Sequence, residues 1–238
     1  MTRTPLAAQQ WREVVIGHDD RRQVHRTTAF PWRCICALRI TAQDGSVWSG
    51  TGWLAGPRLV ITAGHCVYLH GQGGWAHEIE VIPGANGTSR PFGSCLSEDL
   101  FSVSAWTSRQ MRTHDYGAVL LPEEMPYGAE LGYFSVGVLA DHELANPLLT
   151  VAGYPADKEP PFSLWSHVRR VIDVTSETLA YDVDTAGGQS GAPAWIEWKT
   201  EPVVVGIHTN GSATNNSATR ITNSVMASMD LWLQEARR

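Results

Sequence analysis

Three short segments of the chain contain residue types that could together cleave an acyl bond. His65 lies in the segment ITAGHC, Asp115 in HDYGAV and Ser190 in GGQSGAP. A serine hydroxyl is a poor nucleophile at neutral pH and needs a base within hydrogen-bond reach. An imidazole serves as that base when a carboxylate fixes its tautomer and stabilises the imidazolium. One residue of each type is present, so the sequence predicts nucleophilic catalysis by Ser190.

The order of these residues along the chain discriminates among the folds that carry this chemistry. Histidine, then aspartate, then serine is the order of the chymotrypsin-type double barrel, whereas subtilisins and α/β-hydrolases use other orders. The nucleophile elbow of a hydrolase also requires Gly-x-Ser-x-Gly, and Ala192 occupies the place of its last glycine. We therefore expect a serine endopeptidase of the chymotrypsin type.

Each of the three residues also has a purely structural interpretation. Ser190 could lie in a glycine-rich turn, His65 could be a hydrogen-bonded core histidine, and Asp115 could cap a turn. These interpretations would have to hold for all three segments at once. A strand-like segment also leads into His65 and another follows Asp115. The joint pattern therefore favours an enzyme.

The composition and periodicity of the chain predict an all-β fold. The 238 residues include 22 glycines and 13 prolines, enough for many turns between short strands. Candidate strands span residues 34–40, 47–54, 58–62, 79–82, 117–121, 148–152, 168–174, 178–183, 192–198 and 202–208. Val225, Met229, Trp232 and Leu233 recur at helical spacing, so residues 223–236 predict a closing helix. We expect two six-stranded antiparallel β-barrels followed by this helix.

Charge and spacing argue against several other classes of protein. The net charge of −6 and the pI near 5.8 disfavour a nucleic-acid partner. The sequence contains no secretory h-region and no apolar stretch that could span a membrane. No zinc-site spacing occurs, and we expect neither a metal nor a cofactor. Cys34, Cys36, Cys66 and Cys95 allow three complete disulfide pairings, among which the sequence does not choose.

The chain resembles the glutamyl endopeptidases of the staphylococcal V8 and bacillary type, a branch of the chymotrypsin-like serine peptidases. The resemblance extends from Val15 to Trp232 and includes segments that the triad chemistry does not require. These segments are VIG (15–17), DDR (19–21), NGTS (86–89), GYF (132–134), GYP (153–155) and HTNG (208–211).

This resemblance implies cleavage after glutamate in peptide or protein substrates. In such enzymes the glutamate is bound by a histidine on the strand after the nucleophile and by a threonine five residues before the nucleophile. These two residues match His208 and Thr185 in this chain. A charge-assisted hydrogen bond is worth about 1.5 to 3 kcal/mol. Aspartate is one methylene shorter, a difference usually worth about 1 to 3 kcal/mol, so we expect glutamate to be preferred.

The same resemblance and the triad chemistry assign roles to the remaining site residues. Ser190 attacks the carbonyl, His65 transfers the proton, Asp115 orients His65, and the N–H groups of Gly188 and Ser190 receive the oxyanion. The strand through Thr209, Asn210 and Gly211 is expected to pair with the substrate backbone.

Two alternatives to a glutamate-specific protease remain open. A trypsin-like pocket has an aspartate six residues before the nucleophile, where this chain has Asp184, so specificity for arginine and lysine is a rival. Glutamate specificity requires Asp184 to point away from the pocket or to be paired. A catalytically silent binding protein with the same fold is the second alternative.

The amino end resembles an unprocessed precursor. Relatives begin near the segment VVIG (14–17), so we expect residues 1–13 to be a propeptide remnant that is removed by cleavage after Glu13. The remaining division is residues 14–125 for the first barrel and 126–238 for the second. The chymotrypsin activation switch needs an aspartate where this chain has Gln189, so that switch is excluded. The resemblance also implies a secreted monomer.

Overall fold

A computed structural model describes residues 13–212 and 214–236, whose regular secondary structure is mostly β-strand. The strands are β1 Arg22–Gln23, β2 Ile35–Thr41, β3 Val47–Leu54, β4 Leu59–Thr62, β5 Tyr68–Leu69, β6 Gly74–Trp75, β7 Glu78–Pro83, β8 Cys95–Ser97, β9 Leu100–Ser102, β10 Gly117–Leu120, β11 Ser135–Val136, β12 Leu148–Gly153, β13 Trp165–Val174, β14 Thr178–Tyr181, β15 Pro193–Trp198, β16 Glu201–Gly211 and β17 Asn216–Arg220. The helices are α1 Gly64–Val67, α2 Ser104–Thr107, α3 Tyr127–Leu131, α4 Asp141–Leu144 and α5 Asn223–Glu235, with 3₁₀ helices at Trp32–Cys34 and Arg112–His114.

The first sheet is a curled, seven-stranded antiparallel sheet in the order β8-β7-β2-β3-β4-β10-β9. Its end strands β8 and β9 follow each other directly in the chain, and two hydrogen bonds join β8 and the turn after it to β10, the neighbour of β9. Leu120 N–H donates to Asp99 O at 2.9 Å, and the Ser97 hydroxyl donates to Leu120 O at 2.6 Å. These bonds hold the end of β8 against β10, but β8 and β9 do not pair as strands, so the sheet is curled and not closed.

The second sheet closes into a six-stranded antiparallel barrel. Its strands follow the order β13-β12-β15-β16-β17-β14, and β14 pairs again with β13 to complete the ring. β1 and β11 add to the outside of this barrel, β1 on β13 and β11 in parallel on β16. The expected all-β, chymotrypsin-like fold is therefore confirmed, although the first sheet has seven strands instead of six.

Aromatic side chains join the two sheets, and α5 packs on the first of them. Phe134 lies between Trp53 of β3 and Trp195 of β15, with ring-centroid distances of 6.0 and 5.5 Å. Each such ring removes about 150 to 250 Å² from water. The expected C-terminal helix is also present. Its buried Trp232 stacks on Phe101 with ring centroids 6.1 Å apart, and the hydroxyl of its N-cap residue Thr222 accepts the Val225 N–H.

All ten candidate strands from the sequence overlap observed strands, with ends that differ by a few residues. The sequence did not predict β1, β5, β6, β8, β9, β11 and β17. Six of these strands have only two or three residues, which is too short for a period to be recognised, and β17 is the polar segment NSATR. The expected domain boundary near residue 125 stays a prediction, and residues 1–12 of the expected propeptide lie outside the described residues.

The four cysteines, all within the described residues, are buried free thiols, so none of the three possible disulfide pairings is present. Burial raises the pKa of Cys34 and of Cys66 to about 12, which keeps both protonated at neutral pH. No helix in residues 13–212 and 214–236 has the length and apolar character of a membrane span.

Candidate active site

His65 and Asp115 meet at one end of the first sheet because their strands are neighbours. β4 and β10 are antiparallel, and Thr62 at the end of β4 pairs with Gly117 at the start of β10. His65 follows β4 in α1, and Asp115 precedes β10 directly after the 3₁₀ helix. The loops that carry the two residues therefore leave the sheet side by side.

The carboxylate of Asp115 holds both the backbone and the ring of His65. Oδ1 accepts the His65 N–H at 2.8 Å, and Oδ2 lies 2.8 Å from Nδ1 of the ring. Asp115 is only 2% exposed. A carboxylate in this position favours a proton on Nδ1 and leaves Nε2 as the basic nitrogen.

The charges around His65 favour its protonated form. Burial acts to lower the pKa of His65, but the Asp115 carboxylate and then the Glu13 carboxylate outweigh it, so the pKa is raised above 6.5. An imidazolium at His65 would be stabilised in the same way.

A glycine before His65 allows the two loops to approach. A Cβ atom at Gly64 would lie 2.8 Å from Cδ1 of Trp106 and 2.9 Å from the backbone N of Tyr116. Any larger residue would push α1 away from the segment that carries Asp115. This contact explains the glycine in the segment ITAGHC.

The loop that carries Ser190 is anchored on the first sheet through Thr51 of β3. The Thr51 N–H donates to Ser190 O at 2.9 Å, and the Thr51 hydroxyl donates to Gly188 O at 2.8 Å. Cys66, the neighbour of His65, also contacts Ser190 O at 3.7 Å. The serine of the second barrel is thus held beside the histidine of the first sheet.

The same loop contains the two amide groups expected to bind an oxyanion. Gly188 has a φ of 97°, in the left-handed region that favours glycine, and a Cβ there would lie 2.5 Å from Tyr154 O. No hydrogen bond between described residues uses the N–H of Gly188 or of Ser190. Both donors are therefore available to a ligand.

The carboxylate of Glu13 lies on the serine hydroxyl. Ser190 Oγ donates to Glu13 Oε1 at 2.6 Å, and the same oxygen lies 3.4 Å from His208 Nε2. The Glu13 side chain is 3% exposed. Among the described residues Ser190 and His65 share no hydrogen bond, so the glutamate takes the contact that a triad serine makes with its base.

The residue after Glu13 is bound on both sides of its backbone. Val14 N–H donates to Asn216 Oδ1 at 3.0 Å, and Val14 O accepts from Asn216 Nδ2 at 2.6 Å and from the Thr185 N–H at 3.2 Å. Asn216 belongs to β17, one of the strands that the sequence did not predict. These bonds position Glu13 over Ser190.

The expected pocket residues Thr185 and His208 lie against neighbouring residues of the amino-terminal segment, since the Thr185 N–H donates to Val14 O at 3.2 Å and His208 Nε2 lies 3.4 Å from Glu13 Oε1. Both are 0% exposed, and neither the Thr185 hydroxyl nor His208 Nε2 has a hydrogen-bond partner among the described residues. Two buried polar atoms without partners are costly, and they mark a site that a polar ligand can complete.

The expected substrate strand lies at the end of β16. β15 pairs with β16 only as far as Ile207, so Thr209, Asn210 and Gly211 extend beyond it and have β17 on one side. The expected pairing of this segment with a substrate backbone stays a prediction.

Asp184 is paired with the amino-terminal segment. Its Oδ1 accepts the Ile16 N–H at 2.7 Å, its Oδ2 accepts the Asp20 N–H at 2.9 Å, and the residue is 1% exposed. The carboxylate therefore has partners on both oxygens, as the glutamate interpretation required.

Sequence reasoning gave no role to Arg21, although the segment DDR was part of the resemblance. Its guanidinium is 0% exposed and contacts Asp157 and Asp19 at 2.5 and 2.9 Å. It also donates to Gln189 Oε1 at 3.2 Å, and that oxygen accepts the Ala186 N–H at 3.1 Å. A buried cation thus holds the residue before Ser190, where chymotrypsin uses a freed amine.

One group within the described residues has the spacing of metal ligands, namely Asp20, His167 and Asp184. Hydrogen bonds already account for it, because both oxygens of Asp184 accept backbone N–H groups and His167 Nδ1 accepts the Asp184 N–H at 2.8 Å. Arg169 also contacts Asp20 at 2.7 Å and disfavours a cation. The group is explained without a metal.

Comparison with known proteins agrees with this geometry. The trypsin family model matches residues 22–230. Glutamyl endopeptidase of Bacillus licheniformis is 37% identical over 99% of this chain and 74% of its own length. A Bacillus subtilis protein named extracellular metalloprotease is 34% identical over 93% of this chain and 70% of its own length. Glutamyl endopeptidase of Staphylococcus aureus is 27% identical over 87% of this chain and 60% of its own length.

Among solved structures, a Glu endopeptidase in complex with MPD superimposes with a TM-score of 0.82 at 25% identity. The match covers 92% of this chain and 99% of that one. The family match spans most of the chain, and the fold, the relatives and the resemblance agree. The chain belongs to the trypsin family of serine proteases and is a homologue of the glutamyl endopeptidases.

Proposed function

We propose that this serine protease cleaves peptide bonds after glutamate, with weaker cleavage after aspartate. The observation that carries the proposal is the position of Glu13, whose buried carboxylate lies between Ser190 and His208. A glutamate side chain of the chain itself therefore already lies beside both the proposed nucleophile and the proposed pocket histidine.

We assign the catalytic roles to His65, Asp115 and Ser190. Ser190 Oγ attacks the carbonyl carbon while its proton passes to His65 Nε2. The oxyanion that forms accepts hydrogen bonds from the N–H groups of Gly188 and Ser190. His65 then protonates the leaving amine, which leaves an acyl-enzyme. A water molecule, deprotonated by His65, then attacks the acyl-enzyme and releases the carboxylic acid and free Ser190. An oxyanion donor typically contributes about 10²- to 10³-fold in rate.

The donor inventory of the pocket supports glutamate. A substrate carboxylate can accept from His208 Nε2–H and from the Thr185 hydroxyl, which have no partner in the described residues. Each charge-assisted bond contributes about 1.5 to 3 kcal/mol. The pairing of Asp184 with the Ile16 and Asp20 amides argues against a pocket for arginine or lysine.

We also propose that residues 1–13 are a propeptide and that the bond after Glu13 is the processing site. Glu13 is the residue type that the pocket is proposed to bind, and it lies at the nucleophile. Cleavage would free Val14 and remove the carboxylate from Ser190.

The setting in which the enzyme acts is part of the proposal. The name of the Bacillus subtilis relative describes it as extracellular, which supports secretion of this chain. We further propose a monomer that acts on peptide and protein substrates, with no nucleic-acid or membrane partner and no metal or cofactor.

The test is cleavage of matched peptides with Glu, Asp, Gln, Lys or Phe before the scissile bond, by wild type and Ser190→Ala. Cleavage selective for Glu and abolished in the variant is the expected result. Selective cleavage after Lys would instead transfer the specificity to Asp184. If processed protein cleaves none of the peptides and Ser190 does not react with an organofluorophosphate, the chain is a silent binding protein.

A further inference from the structure

A buried tyrosine contacts the proposed pocket histidine, His208, from the side opposite to Glu13. The hydroxyl of Tyr181 lies 2.7 Å from His208 Nδ1, and both residues are 0% exposed. Tyr181 ends β14 and His208 lies on β16, with β17 between these strands in the barrel. The ring of His208 therefore has Tyr181 at one nitrogen and the carboxylate of Glu13 near the other.

Proton counting selects one arrangement of this pair. If Tyr181 accepted a proton from Nδ1, its own hydroxyl proton would have no acceptor among the described residues. In a neutral ring, Nε2 would then present a lone pair to a carboxylate. If Tyr181 donates to Nδ1, the ring proton resides on Nε2, the nitrogen that lies 3.4 Å from Glu13 Oε1. A neutral histidine is a donor at one nitrogen only, and the hydrogen bond at the other nitrogen decides which.

Tyr181 can keep its proton for this role. Burial, and after it the charge of Glu13, raises the pKa of Tyr181 well above 10. The phenol is therefore a permanent donor at neutral pH, since its ionised form would be a buried anion beside a carboxylate.

We propose that Tyr181 is a positioning residue for substrate specificity. By donating to Nδ1, it keeps the proton of neutral His208 on Nε2, where it is donated to the carboxylate of the substrate glutamate. This inference rests on the proposed function and deepens it, because it explains how the buried ring of His208 presents a proton to an anion. In metal-binding histidines, a hydrogen bond at the ring nitrogen that does not bind the metal fixes the tautomer and the ring orientation in the same way.

The first test compares wild type and Tyr181→Phe on two peptides that differ only in Glu or Gln before the scissile bond. Phenylalanine keeps the ring but cannot donate, so His208 loses its preference for the productive tautomer. We expect kcat/KM for the Glu peptide to fall about tenfold, which corresponds to one charge-assisted bond, and the value for Gln to change little. The ratio of the two values is the measurement that decides.

Tyr154→Phe is the matched control. Its hydroxyl is also buried and donates to Ile35 O at 3.1 Å, away from His208. Both variants lose one buried hydrogen bond, so a general loss of packing would affect both. The Glu-to-Gln ratio is expected to fall only in Tyr181→Phe. An equal fall in both variants, or an unchanged ratio in Tyr181→Phe, overturns the proposal.

A second measurement needs no change at Tyr181 and does not depend on folding of the variant. In a chain with Ser190→Ala and ¹⁵N-labelled histidines, the nitrogen shifts of His208 report which nitrogen carries the proton, and His208→Gln assigns the signals. We expect the proton on Nε2, and a proton on Nδ1 overturns the proposal. If wild type shows no preference for Glu over Gln, the proposed function fails, and the shifts still decide whether Tyr181 sets the tautomer.

Discussion

Replacement of Glu13 by alanine should activate the chain before it is processed. In the uncut chain the hydroxyl of Ser190 donates to Glu13 Oε1 at 2.6 Å and has no hydrogen bond to His65 among the described residues. A substrate or an organofluorophosphate must therefore displace the glutamate first. Glu13→Ala removes the carboxylate, and it also removes the proposed cleavage site, so the variant stays uncut.

The size of the effect follows from the contacts that are lost. One charge-assisted hydrogen bond is worth about 1.5 to 3 kcal/mol, which is about a ten- to hundredfold change in an equilibrium constant. Glu13 Oε2 is buried without a partner in the described residues, and this offsets part of the gain. We therefore expect uncut Glu13→Ala to react about tenfold faster than uncut wild type, near the lower end of that range.

The assay is intact-mass analysis during reaction with a fluorophosphonate probe. Cut and uncut molecules differ in mass, so the labelled fraction of uncut molecules is read in one sample even while wild type processes itself. Glu98→Ala serves as the control, since Glu98 is an exposed glutamate on the turn between β8 and β9. If uncut wild type is labelled as fast as uncut Glu13→Ala, Glu13 does not block the site and our reasoning is refuted.

Three further predictions concern the base, the cysteines and acid stability. In a chain with alanine at the nucleophile, NMR titration should place the pKa of His65 above 6.5, and Glu13→Ala should lower it; an unchanged pKa would contradict the role of that charge. A Cβ at Gly50 would lie 2.9 Å from Cys66 Sγ, so Gly50→Cys should form a disulfide with Cys66 and stabilise the fold by about 3 kcal/mol. Urea unfolding with and without reductant measures this, and persistence of both thiols under oxidation would show that the geometry is wrong. Burial, and then Arg169, lowers the pKa of His167 below 6.5, so the unfolded chain binds the proton more readily and stability falls as the pH drops below 6.5. His167→Gln should make that slope shallower in urea unfolding at stepped pH, and an identical slope would argue against this source.

Residues whose function depends on local segments could be recognised from the sequence. The segments around His65, Asp115 and Ser190 contain the glycines and the adjacent strands that the chemistry needs, so both the candidate triad and the all-β fold followed from them. The helix at Asn223–Glu235 was recognised from its apolar period for the same reason. In each case the signal lies within a few neighbouring residues.

Only the tertiary structure decided which distant residues lie against the site residues. Glu13 and Ser190 are 177 positions apart, Tyr181 and His208 are 27 apart, and Arg21 and Gln189 are 168 apart. No period or local motif encodes such pairs, because they form when strands and loops from distant parts of the chain are brought together. The sequence by itself determined the chemistry that the chain can perform, and the tertiary structure decided which charges and hydrogen bonds surround it.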